Sequence, residues 1–216
     1  MILAAHQPNY LPNLSFFSKI KAVDKFIVMT NIQFEKGEGW QQRHKIAGPS
    51  GDIWLTVPVL GSQNQLIRDV KINNNAPWQR KHKKTLQQIY GKSKEAPLLP
   101  KILQVYDNNW DRLVDLNFQL IITIASTLGI KTPIILDEEV SGKKQELLIN
   151  ICKKYGAISY LSGVGVKLYI DEDFLKKFEA SGVEHKIVER NLTSEFPYST
   201  IHYLFTKGRD WVLDII

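Results

Sequence analysis

The 216-residue chain has a single cysteine, Cys152, so it forms no intrachain disulfide and no paired-cysteine zinc site. That economy suits a reducing compartment. Its five histidines, at positions 6, 44, 82, 185 and 202, never fall at the H-x-x-x-H or H-E-x-x-H spacing that sets two imidazoles on one helix face. A helix-borne zinc centre is therefore not encoded, and no metal site is expected. Neither G-x-G-x-x-G nor G-x-x-x-x-G-K-[ST] occurs, which excludes the usual dinucleotide and P-loop phosphate cradles. Long apolar runs are missing too. The longest candidate, Leu116 to Ile130, is broken by Asn117, Gln119, Thr123, Ser126 and Thr127, short of the roughly 20 apolar residues of a membrane span. Met1 to Ala5 lacks a basic n-region, and polar His6-Gln7 ends it, so no signal peptide and a cytoplasmic location are expected.

What remains is an ordinary globular composition, 44% hydrophobic, with 28 Lys and Arg against 22 Asp and Glu for a net charge of +6. A chain of this length builds one core without metal or disulfide support. The charge excess is too mild to name a partner. Between Ala76 and Lys94, however, Arg80, Lys81, Lys83, Lys84, Lys92 and Lys94 occur without an acidic residue. Such a block is either a solvated helix face or a surface for a polyanion.

Along the chain, Ile2 to Ala5 reads as a buried strand entering the proline-punctuated loop His6-Gln7-Pro8-Asn9-Tyr10-Leu11-Pro12. Phe16, Phe17, Ile20 and Val23 then stripe a helix whose Lys19, Lys21 and Asp24 are assigned to the wet side. Lys25 to Met29 is a second strand. Gln33 to Ser50 reads as a long surface loop, the sort that carries function, with strands at Ile53 to Val59 and Leu66 to Ile72. Helices are predicted for Trp78 to Tyr90, Ala96 to Val105 and Trp110 to Leu128, the last ended by Gly129. Strand Pro133 to Leu136, a helix striped by Leu147, Leu148, Ile151, Cys152 and Tyr155, strand Ala157 to Leu161, helix Asp171 to Ala180 and strand Glu184 to Glu189 complete the pattern. Repeated strand-helix alternation predicts an α/β fold with a largely parallel sheet and helices on both faces. One domain over residues 1–216 is expected, with residues 78–129 as a helical insertion.

In such a sheet the ligand crevice lies outside the carboxyl ends of the strands. His6 falls at that edge, where an imidazole acts as a general acid, a general base or a phosphate contact. Gln7 and Asn9 are two-way hydrogen-bonders suited to a sugar, ribose or amide, and Tyr10 to ring stacking; turn chemistry explains Asn9 equally well. Ser162-Gly163-Val164-Gly165, followed by Lys167, is either an anion nest with a cationic neighbour or a plain turn in which glycine allows positive φ. Gln33 and Arg43, with Trp40, Gln42, His44 and Lys45, combine an aromatic plate with cations suited to a nucleotide or sugar phosphate. Trp78 and His82 share a helix side. Cys152 and Asn117 lie on apolar stripes and are read as core.

The HQPNYLP opening, then Phe16-Phe17, Asp24, Ile32-Gln33-Phe34, Trp54-Leu55-Thr56-Val57-Pro58-Val59 and Tyr160-Leu161-Ser162-Gly163, resembles the WbqC-like family over the whole chain. The resemblance implies a part in bacterial cell-surface polysaccharide and O-antigen biosynthesis, with transfer of an aminoacyl (glycyl) group to a nucleotide-linked sugar. It brings no established catalytic residue. This chain departs from the pattern at Asn31, at Gln41-Gln42-Arg43-His44, and at His202, where the family tends to carry a carboxylate. More weakly, a strand, a His-containing loop and a helix resemble the start of HIGH-type nucleotidylyl transferases. That implies a Rossmann-like (HUP-like) sheet and a rival activity, adenylation. A third reading is a non-enzymatic sugar-nucleotide-binding or scaffold subunit. The implied ligands are ATP or a sugar nucleotide with magnesium, and an acyl or aminoacyl donor. Nucleic acid is not an expected partner.

Overall fold

A computed structural model describes residues 1–37, 39–61, 65–168 and 170–216. Five short strands form its main sheet: β1 (Ile2–His6), β2 (Lys25–Met29), β5 (Ile134–Asp137), β6 (Ser159–Ser162) and β7 (Glu184–Ile187). All pairings are parallel and the order is β5-β2-β1-β6-β7. β1 is central. Its Leu3, Ala4 and Ala5 are buried, as expected of a strand covered on both faces.

Side chains of the central strands alternate between two cores. Ala4, Phe26 and Val28 pack into the larger one. It is covered by α1 (Leu14–Lys21), α2 (Trp78–Tyr90), α3 (Leu99–Gln104), α4 (Leu113–Leu128), the short α7 (Leu192–Glu195), α8 (Thr200–Lys207) and α9 (Arg209–Ile215). Leu3, Ala5 and Ile27 face the smaller core under α5 (Gln145–Tyr155) and α6 (Glu172–Ala180). The fold is a Rossmann-like α/β sheet flanked by helices.

Local chemistry sets the element ends. Asn13 caps α1 by accepting the Phe16 N–H at 3.2 Å, a favoured N-cap residue in its favoured role. Gly129 ends α4 in the left-handed region at φ +81°, donating to the Ala125 and Ser126 carbonyls, as the sequence predicts.

Three expectations need correction. Within the predicted loop 33–50, of which residue 38 lies outside the described residues, Arg43–Gly48 forms β3. It pairs antiparallel with β4 (Gly51–Thr56). Leu66 to Ile72 is not a strand but a 3₁₀ turn, Ile67–Asp69, flanked by the single bridges Gln33↔Leu66 and Val59↔Ile72. Ala96 to Val105 begins as a 3₁₀ turn, Ala96–Leu98, before α3. Among the described residues no helix is long and apolar enough to cross a membrane.

Candidate functional site

In order of appearance the sheet strands run third, second, first, fourth, fifth. The order therefore reverses between β1 and β6. The chain leaves β1 toward α1 on one face and β6 toward α6 on the other, which opens a crevice at the carboxyl ends of this pair. His6 and Gln7 stand on one lip, Ser162 and Gly163 on the other.

His6 is half-buried, its ring edge-on to Phe16 at 5.1 Å. Its Nδ1 lies 2.9 Å from the Gln7 carbonyl, so Nδ1 carries the proton and Nε2 keeps a lone pair. Burial, aided by the charge of Lys19 and opposed by the Gln7 bond, lowers the imidazole to about 3. The ring is neutral at pH 7.

Lys19 is the residue that the hydropathy pattern misplaced. It is 6% exposed, not on the wet side of α1. Its ammonium comes within van der Waals reach of the Cβ position of Gly163, at 3.9 Å. No hydrogen-bond acceptor or carboxylate partners it among the described residues. Burial brings its pKa down to about 7. The signal was in the spacing: Lys19 follows Phe16 by three and precedes Val23 by four, which places it on their face of the helix. Lysine snorkels from such positions, and side chains lean toward the helix N-terminus. Here that direction leads to the carboxyl edge of the sheet.

A hydrogen-bonded frame holds the first loop. Asn117 of α4 donates to the Pro8 carbonyl at 2.8 Å and the Gln41 carbonyl at 2.7 Å, and Tyr10 N–H donates to the Trp40 carbonyl at 2.9 Å. The Gln41 side chain donates to Gln7 Oε1 at 3.0 Å and accepts from Glu35 N–H at 2.8 Å. Gln41 is wholly buried; the sequence marks it only within the departing run Gln41-Gln42-Arg43-His44, where nothing separates it from the glutamine beside it. Leu11 adopts φ +44°, a strained conformation for a bulky residue.

The predicted residues divide accordingly. His6, Gln7, Ser162 and Gly163 meet at the crevice. Gln33 and Gln7 line an adjoining cleft of about 1370 Å³, bounded by the start of α5 and by α6. Tyr10 does not reach either space: it is fully buried, its hydroxyl bonded to His82 Nδ1 at 2.8 Å and Tyr106 at 2.6 Å. Its expected ring stacking is corrected to a core role. Asn9 is buried at 5% exposure with Oδ1 unpartnered. Arg43 packs its guanidinium 4.5 Å over Trp54 on the outer face of the hairpin, with Trp40 stacked behind at 6.2 Å. Gly165 and Lys167 are exposed on a 3₁₀ turn, Val164–Leu168. Neither Gly163 nor Gly165 uses a positive φ, so the turn reading loses its conformational reason. Ser162 Oγ bonds to His185 Nε2 at 2.8 Å.

Other reactive groups are spoken for. Cys152 is buried, which pushes its thiol up to about 12. Asp137, at the carboxyl end of β5, would be raised by burial, yet Lys154, Tyr155 and the Val140 and Glu139 amides hold it at about 2. His202 shares a hydrogen bond with Tyr90 at 3.1 Å. No group of three or more His, Cys, Asp or Glu is arranged to hold a metal ion among the described residues. The crevice residues His6, Gln7, Lys19, Ser162 and Gly163 supply no carboxylate, so they fit an anion and not magnesium.

The profile of the WbqC-like protein family matches residues 7–209. The chain belongs to that family. It is also 32% identical over 176 residues, 79% of this chain and 75% of the relative, to the uncharacterized protein Rv1507c of Mycobacterium tuberculosis (strain ATCC 25618 / H37Rv). No solved structure matches this WbqC-like protein at a significant level.

Proposed function

We propose that this WbqC-like protein is a cytoplasmic transferase of cell-surface polysaccharide biosynthesis that attaches an aminoacyl group to a nucleotide-linked sugar. One observation carries the reading. The strand order reverses between β1 and β6, which sets His6-Gln7 against Ser162-Gly163 and opens the crevice beside a cleft large enough for a nucleotide-linked sugar.

Each residue has a part that its chemistry allows. Gln7 spends Oε1 on Gln41, and its Nε2 hydrogens, which have no partner among the described residues, bond a ligand oxygen. A sugar amine or hydroxyl attacks the activated acyl carbon, the new C–N or C–O bond forms as the bond to the donor's leaving group breaks, and the released proton passes to His6 Nε2. Gln33 contributes from the cleft wall. The glycine turn supplies backbone N–H groups to the anionic part of the ligand.

The test is direct. Purified protein is incubated with nucleotide-linked sugars and activated glycine or other amino acids, and products are read by mass spectrometry. An aminoacylated sugar nucleotide, formed at least tenfold more slowly by His6→Ala, is expected. No product with any donor and acceptor, or release of pyrophosphate with a nucleotidylated product instead, overturns the assignment.

A further inference from the structure

Lysine ammonium groups are seldom buried without a partner, because removing the charge from water costs several kcal/mol. Lys19 comes close to that case: the residue is 6% exposed, its ammonium has no partner among the described residues, and only the tip of the side chain reaches the crevice beside Gly163. Its own helix offers Lys21, which donates to the carbonyls of Leu213 and Ile216. The elements packed most closely on α1 are α7, α9, β1 and β2. α7 brings Glu195, paired with Arg190 at 2.6 Å. α9 brings Arg209, Asp210 and Asp214, all exposed. β1 brings His6, and β2 brings Lys25, which lies over Tyr155. Asp24 accepts from the Ile2 N–H. No counter-ion faces the Lys19 ammonium from any of them, and Gly163 leaves open the side toward β6.

We propose that Lys19 anchors a phosphoryl-binding site in the β1/β6 crevice, with the missing counter-ion supplied by a phosphate of the ligand against Gly163. The proposal rests on the transferase reading and deepens it by assigning where a phosphate of the nucleotide-linked sugar binds. It also names a residue other than Lys167, which stands exposed on its turn.

Chemistry that a surface lysine would not show follows. With no anion bound, burial holds Lys19 near 7, so above neutral pH it is mostly uncharged. A phosphate beside it favours the charged form, and the ammonium takes its proton from solvent as the anion binds.

Calorimetric titration with inorganic pyrophosphate at pH 8, in two buffers of different ionisation enthalpy, tests this. The wild type is expected to bind and to take up close to one proton. Lys19→Met loses affinity at least tenfold, and Lys19→Arg keeps affinity but takes up no proton, because guanidinium is always charged. Gly163→Asp, at a site without positive φ, supplies an internal carboxylate and is expected to abolish binding while raising the melting temperature, which separates loss of the site from loss of the fold. Wild-type affinity in Lys19→Met, or equal proton uptake in Lys19→Arg, overturns the anchor. Binding with proton uptake but no aminoacyl product upholds the anchor and overturns the transferase. Aminoacyl transfer by Lys19→Met at unchanged KM does the reverse.

Discussion

Lys19 shows how a functional group is paid for in stability. Unfolded, it holds its proton up to about 10.5; folded, it gives it up near 7. Between these values the unfolded chain binds more protons, so stability rises with pH, and below pH 7 the penalty is complete. A difference of about 3.5 in pKa corresponds to roughly 5 kcal/mol. Lys19→Met is therefore expected to be more stable than the wild type by that order at pH 6 in urea titrations, with the gap closing by pH 10.5. A variant equally stable or weaker at pH 6 would mean that the ammonium is solvated or paired. Residue types alone hid this lysine: a charge beside a stripe reads as solvent-facing, and only its distances to Phe16 and Val23 placed it inward. His6 and Gln7 were legible because a histidine at a strand end is chemically distinctive. Tyr10 was misjudged because an aromatic in a polar loop looks like a platform until its partners His82 and Tyr106, from residues 72 and 96 positions away, are seen.

Elements with one strong period were readable. Trp78–Tyr90 and Lys25–Met29 were predicted to the residue, and Gly129 marked the end of α4. The hairpin was harder. In β3 the inward positions are His44 and Ile46 and the outward ones Arg43 and Lys45, so a buried histidine broke the alternation that marks a strand. α8 and α9, which close the larger core, were not read. α4 does more than pack. Asn117 reaches from it to both the Pro8 and Gln41 carbonyls and so fixes the loop that carries Gln7 against the loop that carries Gln41. Asn117→Ala leaves both carbonyls buried without a donor, at a cost of roughly 2 to 4 kcal/mol. Its expected signature is weaker pyrophosphate binding together with a lowered urea midpoint, whereas a drop in midpoint with full affinity would confine Asn117 to packing.

At the scale of the molecule, the parallel α/β architecture follows from alternation, but strand order does not. Nothing local says that β6 returns beside β1, and the crevice depends on that return. Three histidines then link the fold to pH. Burial lowers His6 to about 3 and His44 and His82 to about 4. Each is bound to a proton in the unfolded chain below its ordinary value of 6.5 but not in the folded one, so stability is lost as pH falls from about 6.5 toward 4. A loss of about 3 kcal/mol for each imidazole, on the order of 10 kcal/mol in sum, is expected across that window. Imidazole resonances that titrate near 6.5, with a flat stability profile, would contradict it.

Thermal unfolding of the wild type and Gly163→Asp with increasing sugar nucleotide decides whether the β1/β6 crevice receives a phosphorylated ligand. At about 100 times the dissociation constant, ligand adds roughly 2.7 kcal/mol, worth about 5 to 10 °C for a domain of this size. That shift is expected in the wild type and none in Gly163→Asp, which starts from a higher midpoint. An unmoved wild type, or equal shifts in both proteins, would contradict it.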